Sequence, residues 1–182
     1  MSKQSILIIL SLFFSLNLKA GKIEKGFQSL DIYNYFDAKR IFEKALKRDN
    51  VAASYGLSII YLRTDNPFYN LDSAHNCIVR ATENYANVKP KKKIKYTKWG
   101  ADSLGMFEQR DLVSNALFSV AKMNHTVAVY QQFLDKNPWS KHVDSAVYYR
   151  DELAYELAMQ TNTAEAFGLF MYDYPNSVSY TH

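Results

Sequence analysis

The residues most able to do chemistry here are four histidines and one cysteine, and their spacing gives them little to share. His75 and Cys77 stand two apart in a helix-patterned stretch, about 200° apart around the axis, which keeps them off a common metal or proton. His125 lies beside a helix start, His142 opens another helix, and His182 is the last residue. The sequence holds no G-x-S-x-G, H-E-x-x-H, phosphate-loop or C-x-x-C pattern. The expectation is a chain that is not an enzyme, with no catalytic residue, no metal ligands and no cofactor. Cys77 has no second cysteine to pair with internally and reads as buried apolar filler, or else as one half of a bond between chains.

Binding chemistry is concentrated elsewhere. Lys89, Lys91, Lys92, Lys93, Lys95 and Lys98 surround Tyr96 and Trp99, a mixture that in a cytoplasmic protein suits phosphate contacts and base stacking. Signs of export argue against nucleic acid. The run over residues 89–100 reads first as a solvated basic connector, without steady period and with a proline that denies it a continuous helix. Its second reading is contact with anionic lipid or an acidic partner, with Lys91, Lys92 and Lys93 as the candidate contacts. Among the fourteen tyrosines, Tyr61, Tyr85 and Tyr130 fit helix-packing positions. Tyr148, Tyr149 and Tyr155 lie beside the stripe and are candidates to line a concave groove. Asn124-His125-Thr126 matches a glycosylation sequon, which matters only on a eukaryotic secretory route.

The elements that position these residues read as helices. Ala38, Ile41, Phe42, Ala45 and Leu46 form one stripe from Tyr35 to about Lys47, with Asp37 as cap. Ala53, Leu57, Ile60 and Tyr61 share a face that stops at Pro67. Asp72 caps a helix with the stripe Ala74, Ile78, Ala81 and Tyr85. Ser103 opens a helix to about Met123, with Leu104, Phe107, Leu112, Leu117, Val120 and Ala121 inward and a break of spacing near Arg110. Thr126 caps a short helix with Val127, Tyr130, Phe133 and Leu134 inward. A longer helix from about His142 carries Ala146, Leu153, Ala154, Leu157 and Ala158, and Thr163 caps the last. Six glycines and four prolines in 182 residues suit helices better than a many-turned sandwich.

At the amino end, Lys3 is followed by apolar residues from Ile6 to Leu16 and then by Ala20-Gly21. This reads as a signal peptide over residues 1–20, cleaved after Ala20, since the apolar run is shorter than the roughly 20 residues a spanning helix needs. Loss of Lys3 and Lys19 lowers the formal charge from +4 to +2. The rest fits one compact domain or a short solenoid.

One phrase occurs twice, 37 residues apart: Tyr130, Phe133, Leu134, Pro138 and Ser140 recur as Phe167, Phe170, Met171, Pro175 and Ser177. Kept aromatics and prolines with free polar positions mark a stacking helical unit. Upstream, Ala38-x-x-x-Phe42 with Ala45, Leu57-Ser58-x-x-Tyr61, and Ala74-x-x-x-Ile78 with Ala81 resemble the tetratricopeptide repeat (TPR) family. Val129 with Phe133 and Ala166 with Phe170 keep that pattern loosely. The family's Trp is missing, and 37 exceeds its period of about 34. With the leader, the Phe-x-x-x-x-Pro-x-Ser style also resembles exported helical-repeat proteins of the Bacteroidota type.

The resemblance implies an all-α fold, an antiparallel helix-pair solenoid of TPR-like superhelix form. Repeats would occupy 21–88 and 101–182 on either side of the basic connector, the last unit incomplete, with the face of Phe167, Phe170 and Met171 under-covered. It further implies an exported, periplasmic or secreted, non-enzymatic scaffold that binds a protein or peptide in the cell envelope. The alternative is the N-terminal docking region of a larger exported enzyme or envelope-anchored protein. Nucleic acid is not an expected partner, and a membrane is expected only through the signal peptide or weak anionic-lipid contact.

Overall fold

Five of the nine described helices start where a short polar side chain accepts an otherwise unpaired N–H group of the first turn. The computed structural model describes residues 21–177. The expected signal peptide, residues 1–20, lies outside the described residues, as do residues 178–182. Within that span the protein is all-α, with no strand. Its helices are α1 (Lys22–Asp31), α2 (Tyr35–Ala45), α3 (Asn50–Leu62), α4 (Leu71–Tyr85), α5 (Pro90–Thr97), α6 (Ser103–Asn124), α7 (Val127–Lys136), α8 (Val143–Thr161) and α9 (Ala164–Asp173). Thr126 and Thr163 cap α7 and α9, accepting from Val129 N–H at 3.3 Å and Ala166 N–H at 3.2 Å, each contributing about 1 kcal/mol. Two other caps differ from expectation. Asn34 accepts from Asp37 N–H and Asn70 from Ser73 N–H, so Asp37 and Asp72 fall inside the first turn. Ser103 opens α6 as expected, with Asp102 accepting from Gly105 N–H.

Helices pack chiefly on their neighbours in sequence, with α4 meeting α6 across the shorter α5. The larger core joins α1 to α4 with Tyr96, Ala101 and the first half of α6 as far as Val113. Its axis is α3, whose residues Val51–Ser58 and Ile60 are all buried, a helix enclosed on every side rather than striped. The smaller core gathers Phe118, Ala121, Tyr130, Phe133 and Ala146, and Leu117 packs against both.

The repeated phrase is repeated in geometry. Phe118 of α6 lies 6.5 Å from Tyr130 and 5.3 Å from Phe133, at 54° and 51°. Tyr155 of α8 lies 6.4 Å from Phe167 and 5.4 Å from Phe170, at 56° and 52°. The residues between the paired helices match too: His125 (φ 46, ψ 58) and Asn162 (φ 49, ψ 46) are both left-handed. The repeated geometry therefore extends upstream of the phrase itself, to the second half of α6 and to α8. Phe170 is buried beneath Tyr155 rather than under-covered, Phe167 is half-buried, and Met171 is exposed.

Helix α6 is continuous through Arg110, and the expected inner face holds only at Leu117 and Ala121. Leu104, Phe107, Leu112 and Val120 are exposed, while Met106, Gln109, Val113, Ser114, Phe118 and Ala121 are buried. The reason is polar pairing. Ser58 Oγ donates to the Ala74 carbonyl at 2.9 Å and accepts from Gln109 Nε2 at 3.2 Å. Ser114 and Ser140 hydroxyls meet at 2.6 Å. Buried polar groups are tolerated when each finds a partner. On α8, Leu157 is likewise exposed while Ala146 and Ala158 are buried.

Candidate functional site

The lysine-rich run is a helix, contrary to its expected reading as an aperiodic connector. Pro90 occupies the first helical position, where its missing N–H is not needed and its fixed φ favours the turn. Gly100, at φ 65, closes the other end. Ala101 N–H donates to the Tyr96 carbonyl at 3.0 Å and Gly100 N–H to the Thr97 carbonyl at 3.3 Å, the pairing that commonly ends helices at glycine. Tyr96, 1% exposed, pins α5 to the core and donates its hydroxyl to the Asp49 carboxylate. Burial foremost, and then this carboxylate, push the Tyr96 phenol far above its ordinary range, so that it remains a donor. Trp99 stacks on Phe27 at 5.2 Å and 14°.

This placement opens a cleft of about 650 Å³ between the start of α1, Asp49 and the lysine face of α5. Gly21, Ile23 and Glu24 form one wall, Lys89, Lys91, Lys92 and Lys95 the other, and Lys98 and Trp99 complete it. Lys92 pairs with Asp49 at 3.0 Å, and Glu24 accepts the Gly21 N–H at 3.1 Å. Lys93 turns away, its ammonium 4.7 Å above the Tyr85 ring. Of the expected contacts, Lys91 and Lys92 therefore line the cleft and Lys93 does not.

The electrostatics of α5 are unfavourable as they stand. Its first turn carries no acid although the N-terminus of a helix is its positive end, and Lys91 and Lys95 are like charges at i and i+4. Among the described residues only Lys92 is matched, by Asp49. Its volume falls within the range of ligand sites, and the chemistry offered by the cleft is capture of an anion beside an aromatic surface.

The tyrosine candidates do not assemble a groove. Tyr149 stacks on Tyr130 at 5.6 Å and packs against the smaller core. Tyr155 serves α9 as Phe118 serves α7. Tyr148 is exposed, its hydroxyl 3.3 Å from Glu152 Oε1. A smaller groove of about 190 Å³ lies among Leu71, Val120, Val129 and Phe133, bordered by the Asp72–Lys136 pair at 3.0 Å.

The described histidines serve packing. His75 Nε2 donates to the Lys136 carbonyl at 3.1 Å, and His125 Nδ1 meets the Tyr130 hydroxyl at 2.9 Å. His142 stacks on Phe118 at 4.4 Å and donates Nε2–H to Asn115 Oδ1 at 2.7 Å. Cys77 is buried, which pushes its thiol pKa up. Burial first, then Lys141 and Lys122, hold the His142 pKa below its ordinary value, against Asp111. The unfolded chain then binds this proton at higher pH than the folded one. The His142 contribution is full above about pH 6.5 and is lost as pH falls through the lower folded value. Urea titrations at neutral and mildly acidic pH are expected to show this loss, and His142→Gln is expected to flatten it.

Among the described residues no three His, Cys, Asp or Glu side chains converge as metal ligands, and no helix is long and apolar enough to cross a membrane. Sequence reasoning missed Asp49, Ile23 and Glu24 as parts of the cleft. Asp49 stands 43 positions from Lys92, and no local pattern announces that pairing. In comparisons with known proteins, no family model, curated protein or solved structure matches the chain.

Proposed function

We propose that this chain is a non-enzymatic, TPR-like helical-repeat scaffold, exported to the cell envelope, that binds a protein or peptide partner. Support for the scaffold comes from the duplicated α6–α7 and α8–α9 geometry and from the packing of helices on their neighbours in sequence. Stacked units of this kind present extended surfaces to partners. The observation that carries the binding role is the lysine cleft, whose unmatched cations ring a half-buried indole.

Immobilised protein, exposed to envelope extract under gentle crosslinking, is the test. Wild type is expected to retain a defined protein that a Lys91→Glu/Lys95→Glu/Lys98→Glu variant does not. Recovery of nothing by either would count decisively against a scaffold.

A further inference from the structure

We infer that the occupant of the cleft is an acidic peptide segment of the partner, with its carboxylates on Lys91, Lys95 and Lys98 and an apolar side chain against Trp99. This deepens the scaffold proposal and rests on it. Charge complementarity points to the class of ligand. Five lysines face the cleft against two carboxylates, and both carboxylates are engaged, Asp49 by Lys92 and Glu24 by the Gly21 N–H. An arriving anion would supply the negative charge that the first turn of α5 lacks.

Spacing points to a chain rather than a compact anion. Lys91, Lys95 and Lys98 follow i, i+4 and i+7, one face of the helix spread over about 10 Å of its axis. An extended peptide sets alternate side chains about 7 Å apart on one side, so two or three acidic residues span that row. A single phosphate cannot reach both ends of it. Depth favours a peptide over a bilayer: Trp99 is half-buried, whereas Lys89, Lys91, Lys95 and Lys98 around it are exposed. A chain can lower a side chain past that rim, while a lipid surface rests on it.

Calorimetric titration of the full protein with a synthetic alternating Glu–Leu peptide is the test. The comparison ligands are its Gln–Leu counterpart, inorganic phosphate, oligothymidylate and phosphatidylglycerol vesicles. The acidic peptide is expected to bind best and to weaken with added salt. Lys91→Gln/Lys95→Gln/Lys98→Gln is expected to bind it roughly tenfold more weakly, and Lys25→Gln/Lys44→Gln/Lys47→Gln, of equal charge, to bind it almost as well as wild type. Because it removes like-charge repulsion, the first variant is expected to melt no lower than wild type without peptide.

Equal loss in both variants, equal binding of the Gln–Leu peptide, no binding at low salt, or tighter binding of phosphate, vesicles or oligonucleotide would overturn the assignment. Should the peptide fail while envelope extract still yields a partner, only the occupant is wrong. Should both fail, the scaffold proposal falls as well.

Discussion

Phe42→Ala is expected to destabilise the protein by about 3–5 kcal/mol, a large share of the roughly 5–15 kcal/mol that holds a domain folded. Phe42 is fully buried on α2, with its ring edge-on to Phe27 at 4.9 Å. Two other helices are shaped around that ring. A Cβ added to Gly26 of α1 would meet Phe42 Cε1 at 2.7 Å, and one added to Gly56 of α3 would press still closer on the same ring. Glycine at position 56 lies inside a helix, where it costs about 1 kcal/mol relative to alanine by propensity. It is placed there so that α3 can reach the phenylalanine. Truncation at 42 therefore opens a cavity walled by backbone, which cannot collapse easily. Gly56→Ala should also destabilise, despite its better propensity, by about 1–3 kcal/mol through overpacking. In the background of Phe42→Leu the same Gly56→Ala change should cost less, because residues in contact couple. Urea unfolding followed by circular dichroism measures wild type and these four variants, and additive losses would remove the packing account.

Arg150→Met is expected to cost about 3 kcal/mol or more, since it strips a buried carboxylate of its partner. Asp151 is 4% exposed and accepts from Arg150 Nε at 2.9 Å and from its terminal nitrogen at 2.7 Å. The same guanidinium donates to Gln131 Oε1 on α7 at 2.7 Å and lies 5.0 Å from the Tyr174 ring centre beyond α9. One side chain thus ties α8 to both flanking helices. Methionine keeps much of the volume and none of the donors. Arg150→Met/Asp151→Asn should recover part of the loss, because the unpaired charge is removed with its partner. The double variant and both singles, unfolded in urea, check this, and a double variant less stable than Arg150→Met would contradict it.

Several features of the fold are legible in the residues themselves. The stripe from Ala38 to Ala45, the stop before Pro67, the buried Ala74, Ile78 and Ala81, and the threonine caps at 126 and 163 all stand where periodicity and capping put them. The 37-residue phrase is legible too, though the matching geometry reaches back into the preceding helix, to Phe118 and Tyr155. The inner face of α6 is legible only at Leu117 and Ala121. Hydrophobicity favours Leu104, Phe107 and Leu112, but the core takes Gln109 and Ser114, because Ser58 and Ser140 satisfy them. A polar residue becomes an interior residue only when its partner is known. Lys89–Lys98 is not legible as an element: its proline suggests a break in the chain's helices, whereas Pro90 is a first helical residue.

By itself, then, the sequence determined that the protein is helical, where most helices begin and end, and that one unit is written twice. These properties are set within a turn or two of chain, by caps, prolines and apolar spacing. Tertiary structure alone decided which faces are buried, that Tyr149 and Tyr155 pack rather than line a groove, and that Asp49, Glu24 and Trp99 meet the lysines of α5 around one cleft. Burial and charge pairing depend on groups far away in sequence, and only the folded chain brings those together.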